Sequence, residues 1–240
     1  MAQPNLKQRI MLVSRDLQKP DFTRHISAIM KRADESKCDT ISFALFTFTE
    51  SPTWEKFFAH TRHVQRVLVE VGEMEKHSGQ LIIQLWQRDQ KEPRLMTRQF
   101  ARSSEPSSRK LSLIQQFKKR VTGKLMTLIC GELSIINIAR PSQAVKDPFG
   151  FRKLLDRSKV QVILSPAHTW MVRHEMNKKR AALSKRNRLL VSVWNRDSKR
   201  KADSKLPWIA YRNGRKKVIR EIESPISSRP DIRLGLISNE

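Results

Sequence analysis

Cys130 opens the segment Cys130-Gly131-Glu132 directly after an apolar run containing Leu125, Met126, Leu128 and Ile129. A thiol where a strand meets a turn has rigid support on one side and backbone N–H donors on the other, the setting a nucleophile needs to form a covalent acyl intermediate. The same position suits a thiol that only fills the core, because free cysteine behaves as a small hydrophobe. Glu132 adds a carboxylate whose direction depends on whether the backbone stays extended past Cys130. His168 follows Pro166 and Ala167 at the end of another apolar run and invites a Cys–His pair. Sequence separation neither supports nor excludes that pair, and an ordinary hydrogen-bonded loop histidine is the plainer reading. The six histidines show no compact spacing with Cys, Asp or Glu, so neither a metal site nor a cofactor is expected.

The elements that must position these groups follow from hydrophobic spacing. Residues 9–13 form a short strand, Asp21 caps a helix carrying Phe22, Ile26, Ile29, Met30 and Ala33, and residues 40–48 form a strand apolar on both faces. The recurrence of Trp54, Phe57, Phe58, Val64, Val67, Leu68, Val71 and Met74 predicts one long helix of about twenty residues, ending near Ser78 and Gly79. Strands follow at 81–86 and 95–101, and the Ser-rich stretch beginning at 103 predicts a flexible loop over 103–120. Further strands are expected at 124–130, 160–164 and 189–194, with helices at 151–155 and 172–185. Asn213-Gly214 between 208–212 and 216–222 is a hairpin signal, since both residues tolerate positive φ. Strands alternating with helices predict a single α/β sandwich over 1–240, with helices covering mixed sheets.

The chain carries 48 Lys and Arg against 23 Asp and Glu, a formal net charge of +25. A field of that sign favours polyanions or acidic protein surfaces. The segment 171–220 holds 17 of the cations and three acidic residues, over half of the net charge. Lys178, Lys179, Arg180, Lys185, Arg186 and Arg188 lie on or beside its helix, Lys199, Arg200 and Lys201 in the following loop, and Arg215, Lys216 and Lys217 on the hairpin. Together they predict a cationic binding surface. An acidic protein is the favoured partner, and nucleic acid, contacted through its phosphates, is the other. The two cysteines, Cys38 and Cys130, cannot build a multi-bridge secreted scaffold. No stretch has the length of an apolar membrane span. A cytoplasmic location away from membranes is expected.

Leu128-Ile129-Cys130-Gly131-Glu132-Leu133 resembles the segment around the catalytic cysteine of the nitrilase, or carbon–nitrogen hydrolase, superfamily. Val162-Ile163-Leu164-Ser165-Pro166-Ala167, Val191-Ser192-Val193-Trp194-Asn195, Arg9-Ile10-Met11-Leu12-Val13 and Asp39-Thr40-Ile41-Ser42-Phe43 also resemble strands of that family in their order. The resemblance spans roughly residues 6–223 and implies a four-layer αββα sandwich, a Glu–Lys–Cys catalytic set and a homodimer. Cys130 matches the nucleophile. Lys110 is the best match for the lysine, with Arg109 and Lys124 nearby in sequence. The position of the family's glutamate, however, falls on Leu45, which cannot accept a proton. Glu50 is five residues too far along an extended chain to take its place simply, a reach of about 16–17 Å. The sequence therefore favours a nitrilase-like binding or inhibitory factor without ordinary activity, acting on a protein partner and fitting a role in DNA transfer. The competing readings are a divergent thiol amidase using Cys130 with Lys110 and with Glu50 or Glu132, and a nonspecific nucleic-acid binder.

Overall fold

The computed structural model describes residues 8–72, 81–99, 106–139, 141–168, 174–199 and 206–239. In chain order, β1 (Gln8–Ser14), α1 (Ile26–Glu35), β2 (Thr40–Phe43), α2 (Trp54–Phe58), β3 (Arg66–Val71), β4 (Ile82–Gln87) and β5 (Leu95–Thr97) come first. There follow α3 (Ser107–Gln115), β6 (Val121–Thr122), β7 (Leu125–Thr127), β8 (Asn137–Ile138), β9 (Val145–Lys146), α4 (Phe151–Arg157), β10 (Val162–Ala167) and α5 (His174–Leu183). The chain closes with β11 (Leu189–Trp194), β12 (Trp208–Arg212), β13 (Arg215–Lys217), β14 (Arg220–Ile222) and β15 (Arg233–Asn239).

The described strands form two large mixed sheets. One runs β14-β15-β1-β2-β3-β4-β5 and the other β13-β12-β11-β10-β7-β6, with β8 and β9 paired separately. Period-2 alternation explains why strands in both sheets read as unbroken apolar runs. On β1, Ile10 and Leu12 enter an apolar layer shared with Leu125, Val162, Leu164, Val191 and Val193 of the second sheet. Met11 and Val13 turn the other way, onto Ile26, Ile29, Met30 and Ala33 of α1. On the far side Met126, Ile163 and Leu190 meet Leu113, Phe151, Leu155 and Leu183 of the helices α3, α4 and α5. Helix, sheet, sheet, helix is the resulting order of layers.

The two sheets are stitched together at one end. Ser14 Oγ donates to Trp194 O at 2.8 Å, Arg15 N to Asn195 Oδ1 at 3.1 Å, and Arg196 N to Arg15 O at 2.8 Å. Asp16 and Arg196 complete the seam as a parallel bridge.

Several expectations are corrected. The long helix expected from Trp54 is a short helix, α2, followed by a strand, β3, and its expected end near Ser78 and Gly79 lies outside the described residues. Val64, Val67, Leu68 and Val71 match a helical stripe, but the β-branched run Val67, Val69, Val71 packs as a doubly buried strand. The second strand ends at Phe43 rather than 48. The loop expected over 103–120 is instead helical over α3 and over a 3-10 turn at Phe117–Arg120, while 103–105 lie outside the described residues. The hairpin forms as expected, with Asn213 at φ 49° and Gly214 at φ 80°. The stretch 216–222 divides between β13 and β14, which join different sheets.

Candidate thiol site

Register sets the site. Ala167 pairs with Trp194 at the ends of β10 and β11, and Thr127 of β7 pairs with Leu164, so Cys130, His168 and Asn195 all emerge from the same end of the second sheet. That is also the stitched end.

Cys130 takes a left-handed conformation, φ 43°, at the start of a 3-10 turn, Cys130–Ile135. A side chain other than glycine in this region costs on the order of 1–3 kcal/mol and persists only where its surroundings hold it. Glu132 does much of that holding. Its Oε2 accepts from Ile129 N at 2.8 Å, its backbone N donates to Ile129 O at 2.8 Å, and its Oε1 accepts from Arg120 Nη2 at 2.8 Å. Glu132 and Arg120 are both fully buried, so the carboxylate proposed from sequence as a functional group braces the turn beneath the thiol.

Cys130 is half-buried, and its thiol acts on the His168 side chain, raising its pKa through hydrogen bonding and charge. His168 Nε2 in turn lies 3.0 and 3.1 Å from the two carboxylate oxygens of Glu70. The imidazole rests against the Phe46 ring, with centroids 4.3 Å apart. Glu70 stands on β3 on the same side as Leu68, facing the interior between the sheets, and is 2% exposed. Its carboxylate accepts from Phe46 N at 2.7 Å and its own N–H donates to Thr47 Oγ1 at 3.0 Å. Burial alone would lower the His168 pKa. The hydrogen bonds to Cys130 and Glu70, and the charges of both, outweigh burial and raise it from 6.5 to about 9. At neutral pH the ring is therefore an imidazolium between two groups able to carry negative charge.

Leu45 is buried at the end of β2, in the apolar layer against which Cys130 packs. Asn195 Nδ2 donates to its carbonyl. Glu50 is exposed in the loop before α2. Lys110 is half-buried on α3, where its charge adds to the burial that lowers the Lys179 pKa. Among the described residues, a buried cation that couples electrostatically to the thiol is Arg180 of α5, whose Nε donates to Ser192 Oγ at 3.0 Å. Burial lowers its pKa to about 10, against the opposing charges of Tyr211 and Cys130.

The cationic surface expected over 171–220 is thinner than its residue count. Lys179, Arg180 and Arg188 are buried, and Arg188 pairs with Asp156 at 3.0 Å. Arg186 reaches the same carboxylate at 3.0 Å, and Lys178 Nζ donates to Gln143 Oε1 at 3.0 Å. Lys185, Lys199, Arg215, Lys216 and Lys217 are exposed, while Arg200 and Lys201 lie outside the described residues. Trp194 and Trp208 are core residues. Among the described residues no group of three or more His, Cys, Asp or Glu is placed to hold a metal ion. None of their helices is long and apolar enough to cross a membrane.

Sequence reasoning missed Glu70, assigned Arg180 to the cationic surface although it is buried, and set His168 aside. A lone carboxylate in Val67-Leu68-Val69-Glu70-Val71 is the signal for Glu70 once that run is read as a strand, because an ionised group on a doubly buried strand requires a partner.

No family model matches the chain, and no curated protein matches it in sequence. Solved structures do. A cysteine-to-alanine variant of the Nesterenkonia sp. AN1 amidase, from the nitrilase superfamily, superposes with a TM-score of 0.52 at 12% identity, covering 96% of this chain and 90% of that one. A glutamate-to-leucine variant of that amidase, with the acetamide moiety of fluoroacetamide covalently added at its active-site cysteine, gives 0.51 at 12% identity and the same coverage. The C. elegans NitFhit protein gives 0.51 at 13% identity, over 97% of this chain and 61% of that one. The two mixed sheets between helical layers are thus the fold shared by these structures, the four-layer αββα sandwich of nitrilase-superfamily proteins.

Proposed function

We propose that the protein is a thiol-dependent hydrolase of a carbon–nitrogen bond, with Cys130 as nucleophile, His168 as proton carrier and Glu70 as the carboxylate that orients the ring. The observation that carries this reading is the placement of His168 between a half-exposed thiol and a buried carboxylate. With Nε2 turned to Glu70, Nδ1 is the ring nitrogen left to receive the thiol proton, and the raised His168 pKa favours the ring that holds it.

The thiolate attacks an amide carbon. A C–S bond forms and the carbonyl π pair moves to oxygen, where the buried Arg180 adds positive potential. Collapse breaks the C–N bond as the imidazolium gives its proton to the leaving nitrogen, and an acyl thioester remains. Water then attacks the thioester, neutral His168 takes its proton, and the acid leaves with the thiolate restored. The base enters from β10, not from the end of β2 where Leu45 stands. In the amidase of the same fold, a leucine replacing a glutamate is compatible with covalent addition at the cysteine.

A second reading has its own observation, since buried Leu45 beside Cys130 removes the family's proton acceptor. On that reading the scaffold is a non-catalytic binding or inhibitory factor for an acidic protein, with DNA transfer as a setting. One experiment separates the two. Purified protein is given a broad panel of amides, and acyl-enzyme is sought by intact mass. Turnover that disappears in Cys130→Ala supports the hydrolase. A thiol that alkylates readily yet neither acylates nor turns over any member of the panel overturns the hydrolase in favour of the binding factor.

A further inference from the structure

At the opposite end of the second sheet, Asn187, Arg212, Asn213, Arg215, Lys216 and Lys217 line an open cleft of about 610 Å³. We propose that this cleft binds the phosphodiester backbone of nucleic acid without regard to base sequence.

The cleft is separate from the thiol site. Arg212 pairs with Leu189 at the start of β11, whereas Asn195 follows the end of that strand, and six residues of strand span about 20 Å. Its walls are two tight turns, with Arg186 and Asn187 at φ 59° and 60° and Asn213 and Gly214 at 49° and 80°. Ser184 ties one turn to the other: its carbonyl accepts from Asn213 N at 2.8 Å and its Oγ from Gly214 N at 3.0 Å. The platform is therefore fixed before any ligand arrives.

Its chemistry selects a polyanion of phosphates. Four cations and two amides line it, with no carboxylate, and among the described residues no acidic side chain pairs with Arg212, Arg215, Lys216 or Lys217. Arg212 Nη1 is buried without a hydrogen-bond partner, a donor still to be satisfied. Guanidinium forks and side-chain amides match phosphate oxygens. β13 is the sheet edge, so Arg215 and Lys217 project to one side at a spacing of about 7 Å, a step comparable to that of successive phosphates along a strand. A protein partner would need a buried apolar anchor at its centre, and the cleft lining offers none. With no aromatic ring in the lining to stack on bases, the contact is electrostatic and indifferent to sequence.

The test is anisotropy of a fluorescein-labelled single-stranded DNA of mixed sequence, titrated with full-length protein at about 50 and about 200 mM salt. Affinity is expected to fall steeply with salt and to be the same for a scrambled sequence. Joint replacement Arg215→Gln, Lys216→Gln and Lys217→Gln should weaken binding at least about 10-fold at low salt and reduce the log–log salt slope by about 2. A matched loss of three charges on the α1 side, Arg24→Gln, Lys31→Gln and Lys37→Gln, should leave both nearly unchanged. Equal effects of the two triple variants would overturn the cleft in favour of diffuse charge. Absence of salt-dependent DNA binding would overturn it outright, and tighter binding of a labelled polyglutamate peptide would replace nucleic acid with an acidic protein. Cys130 alkylation, followed in parallel, should be unaltered in both variants, which keeps this result independent of the thiol chemistry.

Discussion

The two cysteines of this chain share a side chain and little else. Cys38, fully buried between α1 and β2, offers its thiol to Ser36 O at 4.0 Å, and burial pushes its pKa up to about 12 despite the nearby charge of Arg9. Cys130 is half-buried, held at positive φ, and bonded to an imidazole that a carboxylate supports. Both follow apolar sequence, so hydropathy does not separate them. A thiol becomes a nucleophile through what can take its proton and balance its charge, and of the two it is Cys130 that has an imidazole beside it.

The comparison can be broken most directly by alkylation. At neutral pH iodoacetamide should modify Cys130 at least about 1000-fold faster than Cys38, whose thiol is fully buried with its pKa pushed up to about 12. In Cys130→Ala, labelling should return only on denaturation. Similar rates at the two positions by peptide mapping would erase the distinction. Next in size is His168→Gln, expected to slow Cys130 alkylation about 100-fold while leaving Cys38 unchanged. The same variant sharpens the electrostatics. His168 is raised above its unfolded value of 6.5, so the stabilisation from its charged state is fully present below about 6.5 and lost as pH climbs through about 9. Melting curves should show wild type more stable than His168→Gln by up to about 3 kcal/mol near pH 6, with the gap closed by pH 10; a constant gap would deny the ion pair.

Glu70→Gln keeps shape and removes charge. It should slow alkylation about 10-fold and shift the His168 titration below its position near 9, read from imidazole NMR signals. An unmoved midpoint would reduce Glu70 to a spectator. The smallest effect is expected at Glu50, exposed before α2, where Glu50→Gln should leave alkylation within about 2-fold of wild type.

Much of the scaffold was legible because doubly buried strands announce themselves. Residues 162–167 and 189–194 are apolar but for the buried Ser165 and Ser192, and both form strands ending at the site. The hairpin at Asn213-Gly214 was equally plain. The site was half legible. Cys130 could be picked out by its place after a strand, but Glu70 was hidden because 64–71 satisfies helical and strand spacing at once, and a helix would have left its carboxylate on a solvated face. His168 gained meaning only from a carboxylate on the other sheet, 98 residues away in sequence. Charge counting overestimated the cationic face for a related reason: sequence counts Lys179, Arg180 and Arg188 but does not show that they point inward.

The seam along Ser14, Arg15, Trp194 and Asn195 has a consequence for the life of the chain. Glu70 belongs to one sheet and Cys130 and His168 emerge from the other, so the three groups meet only where the two sheets close on one another. Under the proposed thiol chemistry, the rate of Cys130 modification would therefore report closure of the two sheets on one another.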